Sequence, residues 1–289
     1  MAAVAPTVPG GGAATVARRP GFGWVRGVSI PGRVALLLFA LISLVALLAG
    51  VLEPHDASLA AGPAFHAPSA QFPFGTDDAG RDQFSRVLAG LQTTWLSALG
   101  VIALGLLVGG TVGLIAGATG GWVDGFLMRC TDAFLALPAA VLAIAMVAAL
   151  GPSLMHTLIA VSILWWPYYA RLIRTEVRSL AARPFFEAAR LAGTSRRRLL
   201  LRHLLPGILP IAIVAASLDI ANAITILAGL SFLGLGAAPP AAELGSMTAG
   251  GLPELLTAWW LPVIPALAIF VLCLVGNFAG DSLRDLVDR

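Results

Sequence analysis

With 289 residues, 58% hydrophobic side chains, only 11% charged ones and a mean hydropathy of +0.89, the chain carries more apolar side chain than a soluble domain of this length buries in one core. The net charge of +3 does not point to nucleic acid, because the basic excess is confined to short loops and no basic-aromatic module accompanies it. All 18 basic residues are arginine, so no P-loop lysine exists to hold a nucleotide phosphate, and energy for transport has to come from another polypeptide or from an ion gradient.

Residues 1–29 are rich in Ala, Gly and Pro without apolar periodicity, which predicts a disordered cytoplasmic tail. The rest, 30–289, reads as one all-α polytopic membrane domain. Crossing about 30 Å of hydrocarbon takes roughly 20 apolar residues, and six stretches qualify, near 33–52, 95–118, 127–150, 154–172, 207–230 and 259–280. The first follows Arg18, Arg19, Arg26 and Arg33; its length and the lack of a cleavage site predict an uncleaved anchor. The connection 53–93 is too long for a simple link and predicts a partly folded extracytoplasmic subdomain. Pro167 beside Tyr168 and Tyr169 predicts a kink in the fourth span.

With both termini cytoplasmic, every arginine except Arg81 and Arg86 falls on the cytoplasmic side. The outer loops then carry Glu53, Asp56, Asp77, Asp78, Asp82, Glu243 and Glu254. The tryptophans fit the same frame, because indole favours the headgroup level: Trp95, Trp259 and Trp260 at the outer face, Trp24, Trp122, Trp165 and Trp166 near the inner one. Gly109, Gly110, Gly113 and Gly117 give small-xxx-small spacing, which predicts close helix packing in the second span. Cys130 and Cys273 both fall in apolar spans and predict no disulfide framework.

The segment 183–205 is the longest arginine-rich stretch between two spans. Pro184 suits a first helical position, and Phe185, Ala188, Ala189 and Ala192 recur at spacings of three and four with Arg183, Glu187 and Arg190 at the edges. Gly193 predicts a left-handed stop, and Thr194 or Ser195 can cap a second helix running through Arg196–Arg198 to Pro206. The amphipathic pattern fits two readings equally: an interfacial helix that needs no partner, or a short rod with two aromatic anchors seated in a partner's groove.

The run Glu187-Ala188-Ala189, then Gly193, then Leu205-Pro206 resembles the EAA loop of ABC importer permeases, with His203 where that family usually has Ile. Further stretches are similar to the "C" type permease of dipeptide, oligopeptide and nickel importers. They are Phe74–Asp82 with Ser85-Arg86 and Gly90; Gly120–Asp124 with Met128-Arg129, Asp132 and Leu137-Pro138; Leu230–Gly236 with Pro239-Pro240 and Gly245–Met247; and Asn277, Gly280-Asp281, Leu283–Asp285 and Asp288. The resemblance covers about residues 33–289.

The resemblance implies six transmembrane helices of ABC importer type I with a cytoplasmic coupling helix. It implies a complex of two related permeases, two ABC ATPases and an extracytoplasmic substrate-binding protein, in the lipid of a bacterial cytoplasmic membrane. ATP and Mg would sit on the ATPases, with no cofactor and no catalytic residue on this chain. Phe185, Phe186, Glu187, Ala188, Ala189, Gly193, Leu205 and Pro206 would form the ATPase-coupling segment. Di- or oligopeptides are the expected cargo, with nickel or another small solute as the alternative.

Asp219 is the only acid deep in an apolar span, with Asn222 on the same face. It either lines the translocation pathway or meets an arginine or backbone group of the partner permease. A secondary transporter would use it as an ion-coupling site, although an EAA segment has no purpose in that scheme. Asp77, Asp78, Arg81 and Asp82 read as a solvated loop that receives the binding protein, not as a metal site, since the spacing is no EF-hand and an arginine sits among the acids. The four histidines show no zinc-ligand spacing and no catalytic constellation appears.

Overall fold

The computed structural model describes residues 30–287; the tail expected at 1–29 lies outside them. Helix α1 (Ile30–Leu47) and its short continuation α2 (Ala49–Leu52) lead into a cap, residues 53–82, built from turns and two isolated bridges, Ala60 to Arg81 and Thr76 to Asp82. Asp82 ends the cap by accepting from the N–H groups of Phe84 (3.3 Å) and Ser85 (3.2 Å), the first donors of α3 (Gln83–Thr119). The helix therefore starts twelve residues before residue 95, where the second span is expected, and its first turns lie within the outer stretch expected at 53–93. At 37 residues, α3 is about 55 Å long, longer than a bilayer core, so its first turns belong to the cap.

Gly120 (φ +64°) turns the chain into α4 (Gly121–Leu135), and Pro138 separates α4 from α5 (Ala139–Leu150) with an 80° bend. The stretch expected to hold the third span, near 127–150, is thus bent between α4 and α5. After Gly151 (φ +91°) comes α6 (Leu154–Ala181), with Pro167 inside it. Then follow α7 (Pro184–Leu191), α8 (Arg196–Leu199), one π-helical turn (Leu200–Leu204), α9 (Leu205–Leu218) and α10 (Ile220–Phe232), which meet at Asp219. Last are α11 (Leu244–Gly251), a 3₁₀ turn (Leu252–Glu254) and α12 (Trp260–Val287). Among the described residues the named elements are all helical.

Four helical runs are long and apolar enough to cross a membrane, Ile30–Leu47, Gln83–Thr119, Leu200–Phe232 and Trp260–Val287, and α4 with α5 makes a bent fifth. Helix α6 has the length, but Trp165, Trp166, Pro167, Tyr168, Tyr169 and Arg171 dilute its apolar content, so it is not among them. Its surroundings compensate: Ala160, Val161, Tyr169, Ala170, Ile173 and Val177 are at most 1% exposed. Large apolar side chains elsewhere point outward, among them Leu37, Val51, Leu107 and Phe270, as lipid-facing surfaces do.

The core is centred on the α3–α6 pair. A Cβ placed on Gly109 would lie 2.1 Å from the Trp166 carbonyl oxygen, and one on Gly113 would lie 2.4 Å from that of Ala170, so only glycine lets the two backbones approach this closely. The close packing expected from the glycine spacing is present. Trp95 departs from expectation. It is fully buried against Phe39, with ring centroids 5.2 Å apart, and its Nε1 has no hydrogen-bond partner. It is a core side chain, not a headgroup anchor, because the cap extends α3 beyond it.

Candidate functional site

The α7 end is an elbow. Helices α6 and α7 are joined by Ala182 and Arg183 alone, and the link is hydrogen-bonded: Ala182 N–H donates to the Arg178 carbonyl (3.1 Å), Arg183 N–H to that of Leu180 (3.1 Å) and Phe186 N–H to that of Arg183 (3.0 Å). Pro184 opens α7, where its missing N–H costs nothing. Gly193 takes φ +78° and lets Thr194 N–H reach back to the Ala189 carbonyl at 3.2 Å, which closes the helix. Ser195 Oγ accepts from Arg198 N–H at 3.4 Å and starts α8, the second of the two predicted caps.

Glu187 and Ala188 are exposed, Ala189 is half-buried, Leu191 is 86% exposed. The two aromatics expected to anchor a partner divide their work. Phe186 packs into a cluster of this chain containing Ile173, Val177, Leu180, Leu204, Ile208 and Ala212, whereas Phe185 is 49% exposed and faces the His203 ring. Leu205 joins the same cluster and Pro206 is exposed at the start of α9. Six of the eight residues expected in the coupling segment thus stay clear of this cluster, and Phe186 and Leu205 instead fasten the elbow to its own protein.

Next to the elbow, Asp124 in the first turn of α4 is 5% exposed and receives two arginines of α6. Arg174 Nε bonds Oδ1, Arg174 Nη2 bonds Oδ2 at 2.8 Å, and Arg178 Nη2 also bonds Oδ2. Arg171 and Asp132 tie the same helices at 2.6 Å. The spacing of Arg174 and Arg178, four apart on one helix, was the available signal for this cluster; which acid they meet, 50 residues earlier, was not legible.

Inside the helical layer, Asp219 sits between α9 and α10. Trp165 Nε1 and Tyr169 Oη (3.1 Å), both on α6, donate to Oδ2, and Asn222 Nδ2 donates to Oδ1 at 3.2 Å. Asn222 is on the face expected and is exposed; Asp219 is half-buried. Its neighbours are three hydrogen-bond donors, which suits a carboxylate.

At the cap end the loop expected to be solvated is folded around its own charges. Asp77 (6% exposed) accepts from Ala79 N–H at 3.0 Å and Arg81 N–H at 2.9 Å, pairs with Arg81 Nε at 2.6 Å and lies 3.3 Å from Arg86 Nε. Asp82 (1% exposed) bonds Ser85 Oγ at 2.6 Å besides capping α3. Arg86 spans outward to the carbonyls of Ala57 (2.9 Å) and Pro240 (3.1 Å), so one guanidinium joins cap, α3 and the loop after α10. Of the four residues expected to meet a binding protein, only Asp78, 70% exposed at its side chain, is fully presented. Asp78, Arg81, Arg86, Ser246, Met247 and Glu254 help line a cleft of ≈ 260 Å³ on this side. Glu53, in the cap, titrates above the usual carboxylate range because of partial burial and then the neighbouring Asp56. Among the described residues no group of three or more His, Cys, Asp or Glu side chains is placed to hold a metal; Cys130 and Cys273 are free.

Residues 109–289 match the family described as binding-protein-dependent transport system inner membrane component. The chain is 41% identical over 221 residues to a probable D,D-dipeptide transport system permease protein of Escherichia coli K12, covering 76% of this chain and 74% of that one. It is 40% identical over 256 residues to an Escherichia coli glutathione transport system permease protein, covering 88% and 84%. A putative peptide transport system permease protein of Brucella suis is 39% identical over 259 residues, covering 89% and 86%. In fold the chain is similar to an inward-facing MetNI methionine ABC transporter structure, with TM-score 0.56, 19% identity, and coverage of 70% of this chain and 97% of that one.

Proposed function

This chain belongs to the family of binding-protein-dependent transport system inner membrane components, and from that premise we propose that it is the permease subunit of an ATP-driven importer carrying di- or oligopeptides. It is a multi-pass membrane protein and a transport subunit, not an enzyme. It forms half of the translocation pathway, a second related permease supplies the other half, and two ATPases hold ATP and Mg. The relatives are named for D,D-dipeptide, glutathione and peptide transport, which favours peptide over nickel as cargo.

The observation that carries the reading is the elbow: an eight-residue helix, exposed at Glu187, Ala188 and Leu191, yet tied to α6 by a two-residue hydrogen-bonded link and by Phe186. A solvent-facing rod with a rigid root suits receipt of force from outside the chain, and a helix lying idle on the lipid surface needs no such root. The α7 end is the cytoplasmic one, with both termini on that side, because the arginines of α6, α7 and α8 gather there. The cap then faces outward and presents Asp78 to the binding protein. Residues 30–289 are the transmembrane domain. Asp219 and Asn222 face the pathway, holding a polar edge in an otherwise apolar helix.

The experiment is Glu187→Arg in the reconstituted complex. Insertion and thermal stability are expected to stay at the wild-type level, because the side chain is exposed, while ATPase co-purification and ATP-driven uptake are lost. Normal uptake by that variant would refute the docking role. An ion-coupled transporter built on Asp219 gains no support, since an exposed α7 rooted in α6 has no purpose in that scheme.

A further inference from the structure

Arg174 and Arg178, on the last turns of α6, converge on one acid of α4. We propose that Asp124 is the joint through which movement of α7 enters the bent pair α4–α5, with Arg174 and Arg178 as its positioning partners; the inference rests on the reading of α7 as the ATPase contact.

Helix α6 runs unbroken from Leu154 to Ala181, and its bonded link to α7 leaves little slack at the elbow. Three and seven residues before the helix ends, Arg178 and Arg174 occupy one face, one turn apart, and both meet Asp124. The carboxylate is 7% exposed at its side chain and both oxygens are filled. A guanidinium fork that engages both oxygens fixes direction as well as distance, which a point charge does not. Eight residues along α4, Asp132 takes Arg171, so the two antiparallel helices are tied at a second level. On another flank of α6, Gly109 and Gly113 bring the α3 backbone against the carbonyls of Trp166 and Ala170. The cytoplasmic half of α6 is thus gripped by α3 and α4 together.

What distinguishes α4 is its far end. It stops at Leu135, three residues before Pro138, and α5 leaves at 80° with only Ala143 and Val147 buried. Helix α4 is therefore a short arm, pinned to α6 at Asp124 and jointed at Pro138 to α5, which packs on α6 through Ala143 and Val147. Displacement of α7 drags α6, the Asp124 clamp turns α4, and α5 swings about the proline. On α3, by contrast, the same displacement meets a long helix rooted in the cap.

The test uses the whole complex in proteoliposomes, with peptide uptake, ATP hydrolysis and the amount of assembled complex measured on one sample. Asp124→Asn removes the charge at constant volume, and Arg174→Lys keeps the charge and removes the fork. Both are expected to assemble and to hydrolyse ATP at near wild-type rates while uptake falls about tenfold, within the usual range of a coupling between sites. Uptake unchanged, uptake and hydrolysis falling together, or uptake falling only in proportion to assembled complex overturns the proposal, as does failure of both variants to assemble, which makes the clamp a folding staple. Failure of the underlying reading looks different: the wild-type chain would then bring down no ATPase, and Glu187→Arg would transport normally.

Discussion

At the cap end Asp77, Asp82 and Glu243 are 6%, 1% and 2% exposed and each is filled by donors of its own chain, whereas at the elbow Glu187 stands in solvent on a helix only one of whose two phenylalanines turns inward. Both ends are polar and both lie outside the apolar layer. The difference shows that charge in the loops of this membrane protein has two uses: the cap spends it on holding itself rigid, and the elbow keeps it for contact. A sequence-level acidic cluster is therefore a poor guide to a docking surface, and burial decides which use applies.

Three substitutions sharpen the contrast. The largest effect on stability is expected from Arg86→Ala, which leaves the buried Asp77 with Arg81 alone and unties the loop after α10. A loss of about 3 kcal/mol follows, the low end for breaking a buried pair because one partner remains, and thermal unfolding in detergent measures it. Next is Glu243→Ala. Its carboxylate caps α11 through Gly245 N–H (3.0 Å) and Ser246 N–H (2.8 Å) and accepts from Thr94 at 3.3 Å, so about 1–2 kcal/mol is expected in the same assay. The smallest is Gly193→Ala at the elbow, about 1 kcal/mol for an alanine held at positive φ with nothing within 4 Å of the added methyl. Its signature is elsewhere: stability nearly kept and uptake reduced, the reverse of the two cap variants. An elbow variant that unfolds the protein more than Arg86→Ala would break the comparison.

Local features of the elbow were legible because their causes are local. Pro184 can only start a helix cheaply and Gly193 can only end one this way, so both boundaries follow from neighbours in sequence. The glycine spacing of α3 likewise announced a close contact, though not that Trp166 and Ala170 of α6 would fill it. Helix limits were not legible from the apolar runs. Apolar content marks where lipid begins, while helix length is set by capping, and Asp82 starts α3 twelve residues before the apolar run does. Trp95 was misplaced for the same reason.

The amino-acid order by itself determined a helical membrane chain with no lysine to grip a nucleotide, its arginines massed around one short helix, and the turn that shapes that helix. Tertiary structure alone decided which of the two phenylalanines turns inward, which carboxylates are buried, and that Asp124 answers Arg174 and Arg178, Asp219 answers Trp165 and Tyr169, and Arg86 answers Pro240. The physical reason is range. Capping, turn and periodicity preferences act over a few residues, whereas the partner of a buried charge is fixed by how helices 50 to 154 positions apart in the chain come to lie side by side.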